Sequence, residues 1–143
     1  MSKISKVVTR QVFDSRGNPT IEAEVFSGNV SSSAICPSGA STGTYEAYEK
    51  RDFNNKKYLG KSVYKSISII NKLISKKIKN KNVHDQERID HILIKLDGTK
   101  QKSKLGANSI LATSIAVNKL GAKCKKISPF KYLSRSNKYK LPL

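Results

Sequence analysis

The chain has 143 residues, with 28 Lys or Arg against 10 Asp or Glu, and a formal net charge of +18 at pH 7. This length is typical of one domain with its own core. No apolar run approaches the roughly 20 residues that a bilayer crossing needs, which excludes a membrane-spanning protein. No apolar segment follows the N-terminal lysines, so no secretory signal is predicted, and Cys36 and Cys124 are expected to be reduced thiols of a cytoplasmic protein.

The positive charge makes nucleic acid binding a hypothesis to test. Only five of the basic residues are Arg, although planar bidentate contacts to phosphates and bases favour Arg over Lys. Trp is absent, and the Tyr and Phe residues show no regular spacing that would stack bases. Sequence-specific nucleic acid binding is therefore not expected, whereas a basic polyanion-binding module stays an alternative.

The first quarter of the chain predicts three β-strands. Residues 4–13 are rich in β-branched side chains and end at the turn-forming residues 14–19. Residues 20–26 alternate between apolar and polar side chains, the Gly28-Asn29 dipeptide predicts a hairpin turn, and residues 30–36 continue as a third strand. The three strands would form an antiparallel meander with one apolar face that needs a cover.

Helices are predicted to supply that cover. In residues 61–79 the apolar side chains recur three or four positions apart: Val63, Ile67, Ile70, Ile74 and Ile78. A second helix is predicted from the N-cap Asp85 to Asp97-Gly98, a third over residues 105–123 and a short fourth from Ser128-Pro129. The predicted fold class is α+β, a three-stranded antiparallel meander followed by about four helices.

Three further segments carry structural expectations. The third helix is rich in Gly, Ala and Ser, so it should be the most buried helix, with an apolar side wide enough to leave an exposed patch. Residues 51–61 are polar and predict a floppy loop, and residues 139–143 predict an extended end. No acidic residue follows Asp97, so this basic stretch is expected to face an acidic surface.

One loop suggests a binding function. Pro37-Ser38-Gly39-Ala40-Ser41-Thr42-Gly43 follows a strand and combines glycines with small hydroxylated residues. Such a loop can bring backbone amides, carbonyls and hydroxyls close to a phosphate or a hard cation, or it can be a plain connector. No Gly-Lys-Ser/Thr ends it, so it is not a P-loop.

No catalytic set is visible elsewhere in the sequence. His84 and His91 lie seven residues apart, roughly on one face of a helix, and a structural or surface role is expected for both. Glu46 and Glu49 follow the loop and are either acid/base groups or solvated acids. Neither cysteine has partners at a metal-ligand spacing, so a zinc site is not expected.

Several short motifs together resemble the amino-terminal domain of the enolase (phosphopyruvate hydratase) family, in family order and across the whole chain. They are Met1-Ser2-Lys3-Ile4, Asp14-Ser15-Arg16-Gly17-Asn18-Pro19-Thr20 followed by Glu22-Ala23-Glu24-Val25, Pro37 to Gly43, Glu46-Ala47, Arg51-Asp52, Leu59-Gly60-Lys61, Leu96-Asp97-Gly98-Thr99 and Lys102-Ser103-Lys104-Leu105-Gly106-Ala107-Asn108-Ser109-Ile110-Leu111.

The resemblance implies the conversion of 2-phosphoglycerate to phosphoenolpyruvate with two Mg²⁺ ions. The enolase superfamily is itself a known example of a base that works beside Mg²⁺. The residues that match the family's substrate lid are Ser38, Gly39, Ala40, Ser41, Thr42 and Gly43, and Ser41 matches a ligand of the second Mg²⁺. Closure of such a loop excludes water from the reaction.

The resemblance also implies what this chain does not carry. The family's catalytic Lys and Glu, its metal-binding carboxylates and its phosphate-binding groups lie in a carboxyl-terminal barrel, so no catalytic residue is assigned here and the chain alone is expected to be inactive. Residues 1–139 would form the amino-terminal domain, and residues 140–143 would begin the barrel. A degenerate structural or interaction fragment stays an alternative.

Family members are commonly homodimers. Arg10 and Glu22 match residues at that subunit interface, where they pair with the partner's barrel. Without a barrel both side chains are expected to be exposed and the chain monomeric. The alternative interpretation is that they are ordinary solvated residues of a strand.

Overall fold

Three antiparallel strands form the sheet of this computed structural model, which describes residues 2–37, 43, 45–54 and 56–134. The strands are β1 (Lys6–Phe13), β2 (Pro19–Ser27) and β3 (Val30–Cys36), arranged in the order β1-β2-β3. The predicted meander is therefore confirmed, with the first hairpin closed by residues 14–18 and the second by Gly28-Asn29. The extended end predicted for residues 139–143 lies outside the described residues.

The alternation along β2 separates the two faces of the sheet. Ile21, Ala23 and Val25 are fully buried, whereas Glu22 and Glu24 project to the opposite face. β1 begins two residues later than predicted, because the backbone of Ile4 pairs with the turn after the first helices. Its amide donates to the carbonyl of Lys81 over 2.9 Å, and its carbonyl accepts from the amide of Asn80 over 2.8 Å.

Helices follow the sheet, as predicted. A short 3₁₀ turn at Tyr58–Gly60 precedes a continuous helical rod, which consists of α1 (Tyr64–Ile69), a π-helical segment (Ile70–Ile74) and α2 (Ser75–Ile78), and which we call the α1–α2 rod. The later helices are α3 (Gln86–Asp97), α4 (Ala107–Cys124) and α5 (Pro129–Leu133). The chain thus has the predicted α+β fold, a meander followed by four helical rods.

The apolar stripe predicted for the first rod lies in the core, and Val63, Ile70, Ile74 and Ile78 are fully buried. The π-helical segment was not predicted. Residues spaced four apart drift by about 40° around an ideal α-helix, and the wider π turn reduces that drift. The segment therefore helps Ile70, Ile74 and Ile78 to stay on one face.

The ends of α3 are confirmed with their predicted capping residues. The side chain of Asp85 accepts a hydrogen bond from the amide of Arg88 over 3.3 Å. At the other end Gly98 adopts a left-handed conformation, φ 69°, and its amide donates to the carbonyl of Ile94 over 2.9 Å. Ser128 occupies the N-cap position of α5 as predicted, but its side chain makes no capping hydrogen bond.

α4 is the most buried helix, as its small residues predicted. Ala112, Ala116, Val117 and Leu120 are fully buried, and the helix packs on β2 and β3 and contacts α3 and α5. Gly121 is needed where α5 crosses, because a Cβ placed there would lie 2.4 Å from the Tyr132 hydroxyl. The expected apolar patch is also present, since Leu111 and Ile115 are 48% and 42% exposed.

Within the described part of the chain, no helix is long and apolar enough to cross a membrane.

Asp97 organises the connection between α3 and α4. Its buried carboxylate accepts from the amides of Leu105 over 2.7 Å and Thr99 over 2.9 Å, and from the Thr99 hydroxyl. The bond to Leu105 and the positive φ of Gly106 delay the start of α4 by two residues relative to the prediction. Burial alone would raise the pKa of Asp97, but the three hydrogen bonds outweigh burial and lower the pKa below its usual value of 3.8.

We expect Asp97→Asn to lower the free energy of unfolding by about 1.5–3 kcal/mol at neutral pH, because hydrogen bonds to a charged acceptor are weakened. The folded-state pKa lies below the unfolded one, so this contribution is present above pH 3.8 and declines as the pH falls through the folded-state value. Urea unfolding at several pH values measures it. Glu87→Gln removes the same charge from an exposed side chain and should change the free energy by less than about 0.5 kcal/mol. Equal losses in both variants would contradict the assignment.

Candidate functional site

The proposed lid loop lies largely outside the described residues. Ser38, Gly39, Ala40, Ser41 and Thr42 are not described, whereas Pro37 before them and Gly43 after them are both exposed. The amide of Glu46 donates to the carbonyl of Gly43 over 3.1 Å, which forms a turn directly after the loop. The described part of the site is therefore the segment that carries the loop, residues 45–52.

Arg51 joins this segment to the start of β2. Its Nη1 donates to the carbonyl of Pro19 over 2.6 Å and also to the carbonyl of Lys61, and its Nη2 pairs with Glu49 over 2.7 Å. The guanidinium supplies several donors in a fixed plane, so one side chain can join three segments at once. Only 12% of the Arg51 side chain is exposed.

Asp52 joins the same segment to the start of the α1–α2 rod. Its carboxylate accepts from the amides of Tyr64 and Lys65, both over 2.9 Å, and satisfies donors that the first turn of a helix leaves free. Its amide donates to the carbonyl of Ser62, and that of Phe53 donates to the carbonyl of Gly60. The prediction of a floppy loop over residues 51–61 is therefore wrong at both ends, because paired backbone groups close it.

The opposite side of the segment is held by the start of α4. The side chain of Asn108 accepts from the amide of Lys50 over 3.2 Å and donates to its carbonyl over 3.0 Å. The carbonyl of Tyr48 accepts from the amide of Ala107 over 2.8 Å. Gly106 is required here, because a Cβ would lie 2.6 Å from both Asn108 Oδ1 and Lys50 Cβ. Segment 45–52 is therefore clamped between β2, the α1–α2 rod and α4.

Four motifs of the resemblance thus converge in space, those at residues 14–20, 51–52, 59–61 and 102–111. Asn18 accepts from the Nζ of Lys61 over 2.9 Å, which connects the β1–β2 turn to the segment before α1. Arg51, Asp52 and Asn108 were not predicted as anchors, although each lies inside one of the motifs of the resemblance. Their position in a motif was the only signal, because spacing along the chain does not reveal which carbonyls a side chain will reach.

An open cleft of about 460 Å³ lies beside the first loop residue. It is lined by residues from the end of β1, the β1–β2 turn and the end of β3: Phe13, Asp14, Ser15, Arg16, Ile35 and Pro37. The carboxylate of Asp14 accepts from the amides of Asn18 and Arg16, over 2.8 Å and 2.9 Å. These bonds, with that from Asn18 the strongest, lower the pKa of Asp14. A preformed turn with an ionised Asp therefore stands beside the loop.

The other candidate acids and thiols differ in their surroundings. Glu49 pairs with Arg51, and Glu46 is exposed. Among the described residues no three His, Cys, Asp or Glu form a group that could hold a metal. Cys36 is a buried free thiol, and burial followed by the charge of Glu49 raises its pKa to about 11. Cys124 is also a free thiol.

The two histidines do not share a helical face, because α3 begins at Gln86 and His84 precedes it. His84 Nδ1 lies 3.3 Å from the Tyr132 hydroxyl. Burial, and then the charges of Lys125 and the N-terminus, lower the pKa of His84. His91 is exposed, with its Nδ1 2.8 Å from the carbonyl of Glu87. Both contacts are structural.

Arg10 and Glu22 pair with each other on the face of the sheet that points away from α4. Arg10 also bonds Glu24 over 2.7 Å, and its hydrogen bond lowers the pKa of Glu22. Arg10 is exposed as expected, but only 18% of the Glu22 side chain is exposed. The expectation that Glu22 is exposed is therefore wrong, because Arg10 covers its carboxylate.

Comparison with known proteins agrees with this arrangement. The family model described as "Enolase, N-terminal domain" matches residues 4–133. The chain belongs to the enolase family. It is 66% identical to an enolase of Pelagibacter ubique and 49% identical to one of Methanocaldococcus jannaschii, each over 142 residues. These matches cover 99% of this chain but only 34% and 33% of the relatives, so the chain spans about a third of their length.

For this enolase-family domain we expect Asn108→Ala to accelerate hydrogen exchange of the Lys50 amide by about tenfold, because a lost hydrogen bond of about 1.4 kcal/mol is replaced by water. Hydrogen exchange read by mass spectrometry or NMR measures it. Asn118→Ala is the matched control, because Asn118 is a buried residue of the same helix whose Nδ2 makes no hydrogen bond. If both variants accelerate residues 45–52 equally, Asn108 does not anchor the segment.

Proposed function

We propose that this chain serves as the lid and scaffold of an enolase, a cytoplasmic glycolytic lyase that dehydrates 2-phosphoglycerate to phosphoenolpyruvate. The observation that supports this most directly is the clamp on residues 45–52, which holds one end of the loop Ser38–Gly43 rigidly against three elements. A loop with a fixed end can close over a bound substrate and exclude water. The proton-transferring groups would come from the barrel, as the resemblance implies.

The chemistry of Ser41 fits the Mg²⁺ that the family uses. Its hydroxyl and carbonyl oxygens are the hard donors that Mg²⁺ prefers, although one serine cannot complete an octahedral site. The remaining ligands would come from the barrel, as the resemblance to the enolase family implies. When bound, the metal would stabilise negative charge that develops on the substrate. The role of this chain is to position Ser41 and close the site.

A fusion protein tests this function. We expect residues 1–143, joined to the part of the Pelagibacter ubique enolase that this chain does not match, to form phosphoenolpyruvate in a Mg²⁺-dependent way, whereas the unfused chain is inactive. Ser41→Ala should lower the kcat of the fusion by more than about tenfold, because a metal ligand on the lid is lost.

The matched control is Ser68→Ala, which removes a hydroxyl from α1 for which no hydrogen bond occurs in the described part of the chain. It should leave kcat unchanged. A folded fusion without Mg²⁺-dependent turnover would contradict the proposed function. Equal kcat values for the two serine variants would contradict the role of Ser41.

Arg10 and Glu22 are proposed to lie at the interface of a homodimer in the complete enzyme. The Arg10 side chain is 49% exposed and already bonded to Glu22 and Glu24, so dimerisation would require it to exchange or share these partners. We expect Arg10→Gln to raise the dimer dissociation constant of the fusion by about tenfold or more, as loss of an interface charge pair costs about 2 kcal/mol. Sedimentation velocity measures the dissociation constant.

The control for this interface is Arg88→Gln, which removes the same charge from the exposed side of α3. It should leave dimerisation unchanged. A monomeric 143-residue chain is expected in the same experiment. A tight dimer of that chain, or equal weakening by both variants, would contradict the interface.

A further inference from the structure

The longest stretch without acidic residues in the middle of the chain lies between Asp52 and Asp85. Nine lysines occupy it: Lys56, Lys57, Lys61, Lys65, Lys72, Lys76, Lys77, Lys79 and Lys81. The stretch contains the whole α1–α2 rod. Because the inner side of this rod is buried against the core, its charges all lie on the outer side. One side of the fold therefore carries a concentrated positive charge.

A groove lies where this rod meets the chain that leads into edge strand β1. It has a volume of about 260 Å³ and is lined by Ile4, Ser5, Lys6, Val7, Asn71, Ser75, Lys76 and Lys79. Three of these are lysines and none is acidic. We call this feature the lysine groove.

The lysines of the groove have few competing partners. The side chains of Lys76 and Lys79 make no hydrogen bond or ion pair with any described residue, and Lys6 Nζ lies 5.7 Å from the centre of the Phe26 ring. By contrast, Lys119 and Lys123 of α4 already donate to the carbonyls of Ser33 and Ser31, over 3.0 Å and 2.9 Å. The ammonium groups of Lys76 and Lys79 are therefore available to an external anion, whereas those of Lys119 and Lys123 are not.

Neighbouring groups do not neutralise the groove. The acids of β2 nearest to this end of β1 in register are Glu24, opposite Val8, and Glu22, opposite Arg10, and both are engaged by Arg10. At the rod, the Oδ1 of Asn71 accepts from the Thr9 hydroxyl over 2.8 Å, which leaves the amide nitrogen of Asn71 as an additional donor. The lining thus offers three cations and an amide donor to a ligand.

We propose that the lysine groove binds the phosphodiester backbone of a nucleic acid without reading its sequence. Lys binds phosphate as a point charge without a fixed geometry, which suits contact with a backbone of any sequence, and this stretch contains no Arg that would make bidentate contacts to particular bases. A membrane surface fits less well, because such surfaces need several bulky apolar side chains among the lysines. Among the exposed residues of the rod, the large apolar side chains are those of Leu73 and of the aromatic Tyr64.

The charge extends beyond the groove along the rod. Lys72 lies one turn before Lys76, and Lys65 lies two turns before Lys72. The lysines from Lys65 to Lys79 therefore span about 21 Å along the rod. Duplex DNA carries one phosphate charge per about 1.7 Å of its axis. A backbone that runs along the rod would therefore meet several lysines at once, which a free phosphate ion could not do.

The test measures binding of the 143-residue chain to a short random-sequence duplex by fluorescence anisotropy, from about 50 to about 200 mM salt. The groove variant is Lys6→Gln, Lys76→Gln and Lys79→Gln combined. The slope of log K against log salt should become less negative by about 2.7, because three phosphate contacts are lost. Thermal unfolding confirms that the variant is folded.

The control variant combines Lys100→Gln, Lys104→Gln and Lys131→Gln, three exposed lysines elsewhere with the same loss of charge. Its slope should stay within about one unit of the unmodified chain. Equal changes in both variants would show that net charge alone drives binding and would overturn the proposal. A groove variant that loses binding only to vesicles of anionic lipid, and not to the duplex, would also overturn it, in favour of a membrane.

Discussion

The close approach of α4 to the elements around it is the constraint on which this fold depends. The helix presents Ala112 and Ala116 to the sheet and Gly121 to Tyr132 of α5, so neighbouring backbones and rings come closer than larger side chains would permit. A buried helix with small side chains gains stability from dense packing on several sides. Its position then determines where Asn108, at its first turn, meets the segment that carries the loop.

Polar groups rather than apolar ones determine the geometry of the candidate site. Arg51, Asp52 and Asn108 each satisfy backbone groups of a different element, at the start of β2, of the α1–α2 rod and of the segment itself. Unpaired backbone groups at such junctions would carry a desolvation cost of about 1–3 kcal/mol each. Side chains that satisfy them therefore hold the junction in one arrangement, as the proposed lid would require.

The positive charge of the chain is balanced by partners on some surfaces and not on others. On the outer face of the sheet Arg10 is balanced by two glutamates, and on α4 Lys119 and Lys123 bind backbone carbonyls. The α1–α2 rod itself contains no acid, and the carboxylate of Asp52 at its start is occupied by the amides of Tyr64 and Lys65. Because screening weakens interactions beyond about 10 Å in 0.1 M salt, the acids of other faces do little to offset this rod.

Local patterns in the sequence determined most of the secondary structure. Alternation predicted β2, the Gly28-Asn29 dipeptide predicted its hairpin, and Asp85 and Gly98 predicted both ends of α3, because each of these features acts through its immediate neighbours along the chain. The same locality explains the errors. Whether residues 51–61 form a floppy or a closed loop depends on the pairing of its two ends with each other and on the carbonyl of Pro19, which Arg51 reaches across the fold.

Only the tertiary structure decided how the candidate site is assembled. The motifs at Asp14, Arg51, Leu59 and Asn108 were visible in the sequence, but their meeting around residues 45–52 required the sheet and α4 to be in place. Likewise, the partner of Glu22 depended on the register of β1 with β2, which sets Arg10 directly opposite. Propensity and spacing act within one element, whereas a site joins several elements through contacts that no single segment encodes.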